Sequence, residues 1–200
     1  MKYFKLVLED SNETDVVCHW EDTHGLEQYE LNEGLLIENW NDNINFYFNP
    51  MEGDRFTDYL ANNLGWFIVS KKLKDTMSKL GVEGVQYLPV NIVDVERNSS
   101  INEYYVANVL EVADALNLEN SDYSVMDFEG EKIYTIRKYA VTKDKINNSD
   151  MFKLKGDEIP LFVSETFRQS VEESNITGCE FLEIRTIFWF FKEAWNRDDR

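Results

Sequence analysis

Phe67-Ile68-Val69-Ser70-Lys71-Lys72-Leu73 (FIVSKKL) runs from an apolar stretch through a serine into a charged segment, and residues 161–167 (LFVSETF) do the same. A serine in that position is a nucleophile, a helix cap or a marker of fold. After Ser70, Leu73, Met77 and Leu80 recur at helical spacing, and Gly81 stands where a left-handed residue closes a helix. After Ser164, Phe167 and Val171 keep the apolar spacing. Asn175, the other residue that tolerates the left-handed conformation, replaces the glycine. Val163 follows Val69 by 94 residues, as Asn175 follows Gly81, and at that offset Gly84 meets Gly178, Tyr87 meets Phe181 and Leu88 meets Leu182. Two related helix-strand units, about residues 64–90 and 159–184, are expected. Their surfaces differ, with Lys71, Lys72, Lys74 and Lys79 in the first and Glu165, Glu172 and Glu173 in the second.

Working outward, KYFKLVL near the start and KIYTIRKYAV alternate apolar and polar residues, which predicts strands, the latter after a turn at Glu129-Gly130. VVCHW is a short apolar run, GLLIENW and NINFYF flank Asn-Asp-Asn in a way that suits a hairpin or a strand after a loop, and a strand-rich opening third is expected. EYYVANVLEV fits a strand, although Val106, Leu110 and Ala113 also fit a helix, and FKL at 152–154 is a short strand within a polar connector. The expected fold class is α+β, a mixed or largely antiparallel sheet with two related helix-strand units. A single domain of residues 1–200 is expected, since no linker divides the chain.

Charge is the strongest global signal: 38 acidic against 20 basic residues give a formal net charge of −18. Such a surface repels nucleic acid and anionic lipid and attracts basic partners. The first fifty residues hold eleven acids against only Lys2 and Lys5. Glu21, Asp22, Glu27, Glu30, Glu33 and Glu38 from this segment are the candidate partner-binding residues. No apolar run approaches the roughly 18 residues needed to span a bilayer, and the N-terminus turns acidic before a signal-peptide core develops, so a cytoplasmic protein is expected. At the other end, Ile187 to Phe191 with Trp195 form an aromatic cluster. It closes the core as a last strand or helix, or it serves an interface such as a homodimer.

The search for chemistry nominates no catalytic residue. Ser70 and Ser164 lack the GxSxG elbow, and neither His19 nor His24 has a spacing that would make it their base. CHWEDTHG contains metal-ligating residue types, but it matches neither HExxH nor a paired CxxC site, so no metal and no cofactor is expected. Cys18 and Cys179 read as idle thiols. Adjacent carboxylates carry no weight in so acidic a chain.

Taken together, GWFIVSKKLKDTMSKLGVEGVQYLPV (65–90), EYYVANVLEVADALN (103–117) and MFKLKGDEIPLFVSETFRQSVEESNITGCEFLEI (151–184) resemble the bacterial immunity proteins of polymorphic toxin systems, the group called immunity protein eleven. The order of an apolar-Val-Ser helix unit, an LPV strand, a YYVANV segment and a second VSE unit carries the resemblance, over roughly residues 35–184. Asn117 departs from the pattern, which ends that segment on an acidic residue. The resemblance implies a small cytoplasmic protein that binds and blocks a cognate toxin domain, without catalysis and with no fixed binding residues. A toxin acting on nucleic acid is basic at its substrate site, which suits an acidic inhibitor. The alternatives are an acidic adaptor for basic proteins, a nucleic-acid mimic, or an enzyme built on Ser70, Ser164 or the histidines.

Overall fold

The computed structural model describes residues 1–9, 12–20, 25–27, 29–128 and 130–188. In chain order the strands are β1 (Tyr3–Leu8), β2 (Val17–Trp20), β3 (Asn45–Phe48), β4 (Tyr59–Asn62), β5 (Ile68–Ser70), β6 (Val85–Asp94), β7 (Ser99–Val109), β8 (Val112–Ala113), β9 (Asp122–Phe128), β10 (Glu131–Lys138), β11 (Ala140–Thr142), β12 (Met151–Leu154), β13 (Asp157–Ser164) and β14 (Cys179–Ile187). Helix α1 (Lys71–Leu80) follows β5 and helix α2 (Glu165–Glu173) follows β13.

The strands form a closed barrel in the order β2-β3-β6-β7-β5-β4, a six-stranded sheet in the order β11-β14-β1-β13-β12-β8, and a separate hairpin of β9 and β10. The architecture is α+β with mixed sheets, and mostly β. The barrel closes through two parallel ladders, β3 with β6 and β2 with β4, that join segments distant in sequence. Strand β1 lies in the middle of the sheet, antiparallel to both β13 and β14.

Two buried faces explain the sequence of β7. Tyr104 and Val106 point into the barrel with Phe46, Leu60, Trp66 and Ile92, whereas Ala107 and Val109 join Leu73, Met77, Phe167 and Val171 under the helices. A strand covered on both sides loses simple alternation and reads as a continuous apolar run, which is why EYYVANVLEV also fits helical spacing. A third cluster, with Tyr3, Phe152, Phe162 and Tyr139, fills the far side of the sheet. Each fully buried Leu, Ile or Phe here contributes about 1.5–3 kcal/mol of transfer free energy.

Both helices start as expected. Ser70 and Ser164 are extended, and their Oγ atoms accept the N–H groups of Leu73 at 3.2 Å and Phe167 at 3.1 Å. Each hydroxyl donates in turn, Ser70 to Asp58 Oδ1 at 2.6 Å and Ser164 to Asp150 Oδ1. Gly81 ends α1 at φ 77°, and Asn175, just past α2, has φ 49°.

GLLIENW forms no strand and NINFYF supplies β3, so the chain takes the strand after a loop rather than the hairpin, for reasons given below. One strand expectation is corrected. KIYTIRKYAV is broken into β10 and β11 at Tyr139. That ring is buried edge-on against Phe162 and its hydroxyl donates to Asp157 Oδ2 at 2.7 Å, so the chain turns into the body there. Ile187 ends β14 and Phe188 is half exposed; Trp189, Phe190, Phe191 and Trp195 of the aromatic cluster, and Glu129 of the expected turn, lie outside the described residues.

The barrel and the sheet meet at Tyr59 and Gly178. Tyr59 N–H donates to Thr177 O at 3.0 Å, and a Cβ on Gly178 would lie 2.4 Å from Tyr59 O. Gly178 also has φ 83°, whereas Gly81 has φ 77° with open space around it. Gly81→Ala should therefore cost about 1 kcal/mol, the left-handed penalty alone. Gly178→Ala should cost on the order of 3 kcal/mol, because the carbonyl must also move. Urea unfolding midpoints of the two variants check the order.

Candidate partner-binding surface

Residues 29–43 form an irregular strap packed against the barrel core, which takes in Leu31 and is met by Ile37 and Trp40, with one 3-10 turn at Glu30–Asn32. A strap without a strand neighbour must satisfy its backbone by other means. Here side chains from the barrel and the sheet do so. The Gln86 amide brackets Ile37, Oε1 accepting its N–H at 3.0 Å and Nε2 donating to its carbonyl at 2.7 Å, as a neighbouring strand would. Asn108, itself buried, donates from Nδ2 to Leu35 O at 2.8 Å, and Trp40 Nε1 donates to Pro89 O at 2.8 Å. Ladder pairing by GLLIENW is thereby replaced.

The last clamp is Lys153. Its side chain, on β12, is almost wholly buried and its Nζ donates to Leu31 O at 2.8 Å. It borders a cavity of about 250 Å³ between barrel and sheet, walled by Leu6, Tyr59, Trp66, Phe67 and Leu161. Burial draws the ammonium down from its ordinary value of 10.5 to about 8. Nothing in MFKLKGDE distinguishes Lys153 from Lys155, so the sequence left this contact unread.

Clamped in this way, the strap buries Leu31 in the barrel core, packs Ile37 and Trp40 against it, and turns other side chains outward. Tyr29, Leu35 and Leu36 are 56%, 59% and 60% exposed. With Glu30, Glu33 and Glu38 they line an open depression of about 670 Å³. Three of the six candidate acids thus share one open depression with exposed apolar side chains, a composition that suits protein docking more than small-molecule chemistry. Glu27 is exposed but does not line the depression, and Glu21 and Asp22 lie outside the described residues. The sequence reading named the acids and missed Tyr29, Leu35 and Leu36, whose exposure could not be told from a strand's inward face.

Elsewhere the titratable groups are engaged in structure. Both candidate serines spend their hydroxyls on a helix amide and an aspartate. His19 is exposed on β2, paired with Tyr47, and His24 lies outside the described residues. Burial pushes the thiols of Cys18 and Cys179 up to about 12, which keeps them protonated at neutral pH. Among the described residues no three His, Cys, Asp or Glu side chains gather into a metal-binding group. No helix among them is long and apolar enough to cross a membrane.

A family model described as Immunity protein family (Imm11) matches residues 2–186. The match takes in the strap and β1 as well as both helices, and so reaches further than residues 35–184. No curated protein matches the chain.

Gln86→Leu should free the strap, leaving both backbone groups of Ile37 without a partner, at a cost of about 1–3 kcal/mol. Hydrogen exchange at the Ile37 amide should accelerate while that of β7 amides is retained. For Lys153 the folded pKa lies below the unfolded one. From about pH 8 upward the folded chain has released a proton that the unfolded chain still holds, so stability rises with pH towards 10.5. Between pH 7.5 and 9.5 the urea midpoint should rise in the native protein relative to Lys153→Met.

Proposed function

The chain belongs to the Imm11 immunity protein family, and we propose that it binds and neutralises a cognate secreted toxin domain in the cytoplasm of the producing cell. It acts by occupying the toxin, with no turnover of its own. The observation that carries this reading beyond the family is the depression on the strap, which exposed Tyr29, Leu35 and Leu36 line together with Glu30, Glu33 and Glu38. Apolar side chains supply the affinity of such a patch, and the acids, on a chain of formal net charge −18, favour a basic partner and fast association.

We also read residues 64–90 and 159–184 as two versions of one unit within a single domain. Matching register supports this. In the first, Ser70 and Val90 both face Tyr104 of β7, and Tyr59 pairs with Val69. In the second, Ser164 and Ile184 both face Tyr3 of β1, and Met151 pairs with Val163. The carbonyls of Asp58 and Asp150 accept the N–H groups of Ser70 and Ser164 at 2.8 and 3.0 Å. The central strand follows the first unit in the chain and precedes the second, so the two differ by a circular permutation of strand order.

Co-expression with the toxin domain encoded beside its gene should rescue growth and yield a complex. Reversing Glu30, Glu33 and Glu38 to lysine should slow association at least tenfold and flatten its salt dependence. Death of the co-expressing cells with no complex formed would reject the immunity reading. Equal binding to unrelated basic proteins would favour a general acidic adaptor.

A further inference from the structure

The hairpin of β9 and β10 stands apart from both larger sheets: among the described residues each of its strands pairs only with the other. Its seven-residue first strand is roughly 23 Å long. Among the described residues it is tied to the body at its base. Ser121 Oγ accepts Ala140 N–H at 3.0 Å, Arg185 Nη1 donates to Asn120 O at 3.3 Å, and Ile136 packs on the third core.

Cross-strand register assigns the outer side chains to two faces. Met126 opposes Ile133, with Phe128 beside them, on one face; Val125 opposes Tyr134, with Tyr123 beside them, on the other. These six are 59%, 44%, 57%, 47%, 40% and 36% exposed respectively. A half-covered sheet keeps one face polar, and a two-stranded ribbon alone is marginally stable in water. Large apolar side chains exposed on both faces mark a contact surface.

Resting on the immunity reading above, we propose that this hairpin is an insertion arm that enters an apolar-walled cleft in the basic toxin domain and is covered on both faces by it. Two arguments select that occupant. A flat partner, or a second copy lying against one face, leaves the other apolar face in water, whereas a cleft covers both. Charge decides between partners: two chains of net −18 repel, whereas a basic toxin domain attracts the acidic body. Within residues 122–138 four acids stand against Lys132, Arg137 and Lys138, so the arm itself carries little of that net charge, and its exposed apolar side chains are what the cleft covers.

The test uses the full chain and the toxin domain encoded beside its gene. Met126→Lys with Ile133→Glu alters one face, and Val125→Lys with Tyr134→Glu the other; opposite charges across the strands preserve the pairing. A second set, with threonine at the same four positions, keeps strand propensity should the charged pairs unfold the arm. Each face's variants should weaken the complex at least tenfold by calorimetry while the thermal unfolding midpoint stays within a few degrees. Loss from one face only would make the partner surface flat, and native affinity in both sets would remove the arm from the interface; either overturns the inference and leaves the immunity reading standing. Failure of the unaltered chain to bind would overturn both. A native dimer by light scattering that the variants dissolve would seat a second copy on the arm, and exposure of the arm on removing residues 189–200 would seat the chain's own tail there; each rejects the toxin cleft.

Discussion

Asp58 holds the two halves of the molecule together, and the positions of both helices depend on it. One carboxylate oxygen takes the Ser70 hydroxyl at 2.6 Å; the other takes the Thr177 N–H at 3.0 Å and its hydroxyl at 3.2 Å. Its own N–H donates to Thr177 Oγ1 at 3.1 Å. A single side chain therefore fixes the start of α1, on the barrel, against the turn that leads from α2 into β14, on the sheet. Hydrogen bonds to a charged acceptor are stronger than neutral ones, and several on one carboxylate define its geometry closely. Around this seam the helices share one apolar cluster: Leu73 and Met77 from α1 meet Phe167 and Val171 from α2.

With that seam fixed, the outer segments follow two different rules. The strap is attached both by apolar packing of Leu31, Ile37 and Trp40 on the barrel core and by hydrogen bonds. Gln86, Asn108, Trp40 and Lys153 spend their hydrogen bonds on its course, which leaves Tyr29, Leu35 and Leu36 to face water. The hairpin, among the described residues, is tied to the body at its base and displays apolar side chains on both faces. A surface of this kind is costly in a free monomer and useful in a complex, which agrees with a chain from an immunity protein family.

Local features were legible in the sequence because they rest on local chemistry. Ser70, Ser164, Gly81 and Asn175 announce helix ends through capping and left-handed backbone, and neither needs knowledge of the rest of the chain. Barrel closure was not legible, because it depends on parallel pairing of β3 with β6 and β2 with β4. The choice between hairpin and loop at GLLIENW stayed open for the same reason: the partners of the strap lie 49 residues away at Gln86, 73 at Asn108 and 122 at Lys153. The acids of the candidate surface were visible as composition, and only the fold separates Glu30, Glu33 and Glu38 from the rest.

The place of β1 bears on how the protein is made. This strand is made well before its two neighbours, β13 and β14, which are separated from it by more than 140 residues of chain. The barrel strands are all synthesised well before them. During translation the barrel can close while Phe4 and Leu6 wait uncovered, open to chaperones and proteases until α2 and β14 emerge. A nascent chain cut short before β13 leaves β1 with neither of its two neighbours to pair with.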